Sequence, residues 1–385
     1  METVNGLHLV ELGGVVLGLA ILARIAGGTG ISAVPLYLLA GLAFGEGGVA
    51  PLVTTEGFIE LGGQIGLILL LFMLGLEHSS RELLMTMRRS LRVGVLDLVL
   101  NAVPGFVAGM LLGWDVVAAL LLAGVTLVTS SGMAAKILQD LGWSLGSAGP
   151  LVVSILLIED LQMAVFLPIL AALVAEGTGL VGLGGAAIAV AVAGLLLWLA
   201  MKIEVGLSRA LFSRSDEALV LTILGVAITI AGVGEMVGIS AAVAALLVGI
   251  VLSGPAAAGA RHLLRPLRDV FAAMFFVFIG FSVDPSELPP VLPAALGLAA
   301  LGAATKFATG WIGGGWRNLR RSERLRSAVA LIPRGEFSLA IAGIGVAAGV
   351  DPRLATVTVA YVLILGTIGP IAARIVDSRT KIDGT

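Results

Sequence analysis

Apolar runs of about twenty residues recur from one end of the chain to the other, separated by short stretches where charge and proline collect. At 1.5 Å per residue, a helix of that length crosses the ~30 Å hydrocarbon layer of a bilayer. Taken in order, the runs predict thirteen spans, at residues 7–25, 31–45, 57–77, 91–112, 115–139, 148–175, 180–201, 216–234, 237–254, 267–283, 291–316, 327–349 and 354–376. The fold expected is an all-α polytopic membrane protein with short loops. Residues 1–376 form one membrane domain and 377–385 a short tail. The first run has no basic residues ahead of it and reads as a retained helix, not a cleaved leader.

The polar positions carry the orientation. With thirteen spans and the N-terminus outside, one face collects Arg24, the arginines of 81–92, Lys136, Lys202, Arg209, Arg214, Arg261, Arg265, Arg268, those of 317–326, and Arg374, Arg379 and Lys381. The opposite face holds Arg353 alone. The excess of Lys and Arg marks the cytoplasmic side, so the C-terminus is expected inside.

The pattern also repeats. LFMLGLEHSSREL (71–83) resembles FFVFIGFSVDPSEL (275–288), which aligns Gly75 with Gly280 at an offset of 205. LLAGLAFG (38–45) resembles LLVGIVLSG (246–254), which aligns Gly41 with Gly249 at an offset of 208. That offset spans seven helices, an odd number, so the two halves are inverted relative to one another. Repeat one covers about 7–175, a linker helix about 180–201, and repeat two about 216–376. Inverted repeats are a mark of secondary transporters, whose sites are built from interrupted helices at equivalent positions of the two halves. Two such interruptions stand at matching positions. VTLVTSSGM (125–133) contains Thr129, Ser130, Ser131 and Gly132, and LIPRGEF (331–337) contains Pro333, Arg334, Gly335 and Glu336. Crossed discontinuous helices are expected in the core. Hydroxyls and freed carbonyls there could replace the water around an ion.

Charge inside the apolar runs is the strongest signal. In LVVSILLIEDLQMAVFLPIL (151–170), Glu159 and Asp160 fall near the middle of a span. A charged side chain there costs roughly 2.5–3.5 kcal/mol on insertion scales, and an ionisable residue inside the membrane is a functional-site hypothesis by default. Lys306, in LGAATKFATGW (301–311), lies ten residues from the basic end of its span, too deep to reach water comfortably. Counted from that same face, Asp160, Ser130 and Glu336 fall at similar depth. A purely structural pair between Lys306 and Glu159, or between Arg334 and Glu336, is the alternative reading. Asp97, five residues beyond Arg92, reads as an acid reaching for the basic interface.

Composition adds little beyond exclusions. Of 385 residues, 58% are hydrophobic and 12% charged, against about 25% charged in soluble domains. The 53 glycines suit close helix packing in lipid. A net charge of −2 points to no nucleic-acid partner, and with no cysteine there is neither a disulfide nor a thiolate site. The three histidines, His8, His78 and His262, show no ligand spacing. An intramembrane enzyme would need a metal-ligand set or a serine–lysine pair in register. A channel would need a continuous polar path, and a pH sensor would move no cation.

With these motifs in place, the chain resembles the monovalent cation/proton antiporter-2 family, which includes Kef-type potassium/proton antiporters and related bacterial sodium/proton antiporters. The resemblance runs over 1–376 and rests on LLLFMLGLE (69–77), VTSSGMAAKILQDLG (128–142), the acidic pair, GISAAVAALLVGIVLSG (238–254), PLRDVFAAMFFVFIGFSVD (266–284) and LIPRGEFSLAIAGIG (331–345). It implies antiport of K⁺, or alternatively Na⁺, against H⁺ in a bacterial-type inner (plasma) membrane, with no cofactor. It implies that Asp160 binds the cation and proton, that Glu159 holds the position before it and that Lys306 pairs with that acid. From their place on the broken spans, Thr129, Ser130 and Ser131 are expected to complete the ion's shell beside Glu159, and Arg334 and Glu336, with Lys306, to compensate charge. It further implies a homodimer, dimerising around the first three spans of each repeat, with a mobile core that carries the site. Glu159 stands where relatives usually have Asp or Gln. Kef-type proteins usually continue into a regulatory domain; the expectation here is either no such regulation or a separate soluble subunit that docks on the cytoplasmic face.

Overall fold

In a computed structural model of the chain, the described residues are 6–29, 33–45, 47–49, 56–77, 80–176, 215–236, 241–253 and 257–382, with 184, 185, 187, 188 and 191 between them. Among them the regular structure is helical throughout, with no strand. The helices are α1 Gly6–Thr29, α2 Val34–Phe44, α3 Glu56–Glu77, α4 Ser80–Leu111, α5 Val116–Leu127, α6 Ser131–Asp140 and α7 Ala148–Glu176. They continue with α8 Asp216–Met236, α9 Ala241–Val251, α10 Ala257–Phe281, α11 Leu288–Trp316, α12 Arg321–Ala330, α13 Glu336–Ala347 and α14 Arg353–Ile382. Six segments among the described residues are long and apolar enough to cross a membrane: 90–111, 116–140, 148–174, 216–236, 285–316 and 353–380. Each expected span except the seventh overlaps a described helix. The seventh, the expected linker at 180–201, lies outside the described residues apart from five positions. Among the boundaries that differ from expectation, helix α4 begins at Ser80, eleven residues early, α10 begins at Ala257, ten residues early, and α14 runs through Asp377 to Ile382, where a separate tail was expected.

The helices gather into two bundles. In one, α10 packs on α2 and α3, and α3 packs on α9, with α8 behind. Its core holds Phe72, Met73 and Leu76 of α3 against Leu219, Ile223 and Ala227 of α8. The other bundle packs α4 on α5, α7 and α11, and α11 on α12 and α14. It encloses the interrupted pairs α5/α6 and α12/α13 in a larger apolar core.

Glycine sets the closeness of the first bundle. A Cβ at Gly41 would strike the Val277 carbonyl and the Gly280 Cα, and one at Gly280 would strike Leu38 O and the Gly41 Cα. Gly75 and Gly249 interlock the same way: each would strike the carbonyl three residues before the other, Leu246 O and Phe72 O. In lipid, where apolar faces gain little by meeting each other, such backbone-to-backbone fit is a main source of helix adhesion.

Candidate functional site

Both interruptions follow from local sequence. α5 ends where Val128 turns extended, and Ser130, extended as well, then caps α6, its Oγ accepting the Met133 N–H at 3.3 Å. α12 ends because Pro333 has no N–H to offer and disfavours helix at the residue before it. The two breaks meet: Ser130 N donates to Pro333 O at 2.9 Å, and Ser338 Oγ to Val125 O at 2.9 Å.

Breaking two helices inside an apolar core exposes carbonyls at two C-termini and N–H groups at two N-termini. Arg334 and Glu336 serve opposite ends. The fully buried Arg334 guanidinium donates to Thr126 O at the end of α5 (3.1 Å), to Leu331 O and Ile332 O at the end of α12 (3.1 and 3.4 Å), and to the Tyr361 hydroxyl (3.0 Å). The half-buried Glu336 carboxylate stands in the first turn of α13 and accepts at the start of α6 from Ser130 Oγ (2.7 Å), Gly132 N (3.3 Å) and Ser131 Oγ (3.4 Å). A cation at two C-termini and an anion at two N-termini match the sign of the helix dipoles. The pair considered between Arg334 and Glu336 is therefore not what either side chain makes; each compensates helix ends instead.

Thr129 ties the α5/α6 break to a buried charge cluster. Its N–H donates to Glu159 Oε2 at 2.5 Å and its hydroxyl to Glu159 Oε1 at 3.0 Å. Glu159 Oε1 also accepts from Lys306 Nζ at 2.8 Å. Lys306 in turn bonds both oxygens of Asp97, at 2.8 and 2.9 Å. Asp97 is held by Asn101 Nδ2 at 2.9 Å, and Asn101 Oδ1 accepts from Thr305 Oγ1 at 2.8 Å. Asp97, Glu159 and Lys306 are each at most 1% exposed. One lysine thus stands between two acidic side chains.

Asp97 is thus no interfacial acid. Because α4 starts at Ser80, Asp97 lies seventeen residues into the helix, in the core and beside α11. Asp97 and Asn101 sit four apart, on one face of α4, and that spacing was the available signal. Asn101, Thr305, Thr309 and Tyr361 also went unmarked in the sequence.

Asp160 follows Glu159 on α7, turned about 100° from it around the helix axis, and is 7% exposed. Thr129 and Ser130, expected around its ion, spend their hydrogen bonds on Glu159 and Glu336. A cavity of about 410 Å³ opens on the break from the side of α10. Ser130, Ser131, Gly132 and Glu336 line it, with Arg265, Arg268 and Asp269 of α10 among its other walls; neither Glu159 nor Asp160 is among its lining residues.

Comparison with known proteins agrees with this geometry. The model of the family described as "Sodium/hydrogen exchanger, transmembrane" matches residues 14–376. The K(+)/H(+) antiporter subunit KhtU of Bacillus subtilis is 31% identical over 377 residues, covering 95% of this chain and 93% of that one. The ammonium/H(+) antiporter subunit AmhT of Alkalihalophilus pseudofirmus is 28% identical over 317 residues, covering 81% and 80%. The structure of the sodium proton antiporter MjNhaP1 of Methanocaldococcus jannaschii superposes with a TM-score of 0.70 at 18% identity, over 97% of this chain and 99% of that one, and so shares the fold. A membrane-embedded helical fold, two interrupted helices meeting over buried charge and a family match across nearly the whole length place this chain in the sodium/hydrogen exchanger transmembrane family.

Proposed function

We propose that this chain is a secondary active antiporter that exchanges a monovalent cation for protons by alternating access, with K⁺ favoured and Na⁺ the alternative. One observation carries the reading: the adjacent acids Glu159 and Asp160 are both buried, and Glu159 is hydrogen-bonded to Thr129 at the break between α5 and α6 while sharing Lys306 with Asp97. Such charge is costly in an apolar core and is used in transporters to hold the ion. Relatives named for K⁺ and for ammonium antiport agree on a monovalent cation and a proton, and leave the choice of cation open.

Asp160 takes the cation and the proton in turn. Glu159, Thr129, Ser130 and Ser131 complete or shape the ion's surroundings. Lys306 keeps the net charge of the cluster tolerable, and Arg334 and Glu336 hold the broken ends. A bare carboxylate facing an apolar barrier crosses poorly, so the empty step is suppressed and the two fluxes are coupled. A cation channel is the less favoured reading, because it needs a continuous polar path. No enzymatic step and no cofactor are invoked.

The architecture proposed is thirteen spans in two inverted six-helix repeats, joined by a linker helix at about 180–201. The glycine interlocks support it. Gly41 corresponds to Gly249 and Gly75 to Gly280, so the contact Gly41–Gly280 maps onto Gly249–Gly75, as a two-fold relation between the halves requires. In the second bundle, Gly105 against Leu122 and Gly310 against Ser327 follow the same offset of 205. We place the protein in a bacterial-type inner membrane with the N-terminus outside and the C-terminus in the cytoplasm. It forms a homodimer, and a separate cytoplasmic regulatory subunit is its second partner.

The test is exchange in proteoliposomes with a pH-sensitive dye, comparing K⁺, Na⁺, Li⁺ and Rb⁺. The native protein should move protons in response to K⁺ at rates that saturate. Asp160→Asn, nearly isosteric, should fold and dimerise yet show no cation-dependent proton movement. A well-folded Asp160→Asn protein that still exchanges would remove Asp160 from the centre of the reading.

A further inference from the structure

A second cavity, of about 640 Å³, lies between the start of α12 and the last turns of α14. Arg320, Arg321, Ser322, Arg379 and Thr380 line it over a floor of Leu325 and Val376. Its walls are fixed. Arg326 Nη2 donates to Thr380 Oγ1 at 3.1 Å, which joins α12 to α14, and Asp377 Oδ1 accepts from Trp143 Nε1 at 3.0 Å. The acids of these two helix ends are already engaged. Glu323 pairs with Arg326 at 2.7 Å and caps Ala148 N at 2.8 Å, while Asp377 faces Trp143. Arg320, Arg321 and Arg379 are exposed, and among the described residues none of the three forms an ion pair.

The surroundings point to the kind of anion. On α14, Ile368, Ile371 and Ile375 are 49%, 47% and 49% exposed, and Arg379 follows one turn later. Spacings of three, four and four keep all four residues on one helix face, so an apolar stripe runs straight to the arginine. Trp316, 53% exposed at the end of α11, precedes Arg320 by four residues and marks the level of the membrane interface, where exposed tryptophan concentrates.

We propose that this cavity binds the phosphate-bearing headgroup of an anionic phospholipid, with the acyl chains laid along Ile368, Ile371 and Ile375. The three guanidiniums and the Ser322 hydroxyl meet the phosphate. The stripe supplies the apolar contact that a free phosphate compound would not use.

The whole protein in detergent is titrated with phosphatidylglycerol, with phosphatidylcholine of the same chain length and with inorganic phosphate. Binding is read by native mass spectrometry and by melting temperature. Phosphatidylglycerol should bind and raise the melting temperature, and the other two should do neither. Attraction of about fivefold per arginine predicts a loss of about a hundredfold in the variant Arg320→Gln/Arg321→Gln/Arg379→Gln. The equal charge loss Arg24→Gln/Arg92→Gln/Lys136→Gln should change affinity less than about twofold, since it removes only long-range attraction. Ser322→Asp keeps every arginine, places an anion in the cavity and should weaken binding about tenfold, which decides the matter if the triple variant does not fold. Equal losses in both triple variants, equal binding of phosphatidylcholine, or displacement of the lipid by inorganic phosphate at matched concentration would each overturn the proposal. The last outcome would reassign the cavity to a free phosphate compound.

Discussion

Lys306 Nζ stands 2.8 Å from Asp97 Oδ1 and 2.8 Å from Glu159 Oε1, with no more than 1% of any of the three side chains exposed. Removing the lysine leaves two buried carboxylates facing each other; removing one acid leaves a one-to-one pair. Breaking a buried ion pair from one side costs roughly 3–5 kcal/mol. Lys306→Gln is therefore expected to lower the melting temperature sharply, and Lys306→Gln/Asp97→Asn/Glu159→Gln to recover most of the loss. Additive shifts across that cycle would mean that the three groups do not act as a unit. Glu159→Gln is expected to fold well, because Asp97 still neutralises Lys306. It should keep measurable exchange and shift preference toward K⁺ in liposome assays. An inert Glu159→Gln protein would make Glu159 a direct ligand. Glu159, Asp160 and Lys306 were legible in the sequence because each interrupts a long apolar run. Asp97 was not, since Arg92 and the basic residues before it suggested a helix start there, and only packing shows that α4 began a dozen residues earlier.

Among the elements, the interrupted pairs α5/α6 and α12/α13 were legible from Thr-Ser-Ser-Gly and from Pro-Arg-Gly-Glu. Their sequences could not say which charge serves which end, because that depends on how the two breaks cross. Arg334 makes hydrogen bonds to three carbonyls and a hydroxyl while fully buried, whereas Glu336 borders the 410 Å³ cavity. The consequences of neutralising them should differ. Arg334→Gln cannot span both C-termini and strands buried carbonyls, each worth about 1–3 kcal/mol, so it should cost several degrees of melting temperature and most of the exchange rate. Glu336→Gln retains an acceptor oxygen in reach of water and should cost about 1 kcal/mol or less, as expected for a partly solvated charge at a helix start. Equal destabilisation by the two changes would argue against this division of labour. The same reasoning separates the glycines. Their repeat offsets were visible in the sequence, but that Gly41 meets Gly280 and Gly75 meets Gly249 is a property of the assembled bundle.

For the whole molecule, orientation and exchange are linked, because a carrier must present one site to two sides in turn. The chain has no cysteine, so single introduced thiols report sidedness without background. Arg321→Cys should resist an impermeant thiol reagent in intact cells and react after permeabilisation; labelling from outside would reverse the proposed orientation. Exchange itself predicts a pH signature. If Asp160 holds either the cation or a proton, never both, each proton bound subtracts from the sites open to the cation. The concentration of K⁺ giving half-maximal exchange should then fall as pH rises, by up to tenfold per pH unit while the carboxylate is mostly protonated, and level off once it is mostly ionised. A channel has no such obligatory competition, and a carrier with separate sites for proton and cation would show a half-saturation that is flat in pH. Measured in proteoliposomes with equal pH on both faces, a flat profile would reject the single shared carboxylate even if Asp160→Asn were inactive. A falling profile together with an inactive, folded Asp160→Asn protein would tie the competition to that residue.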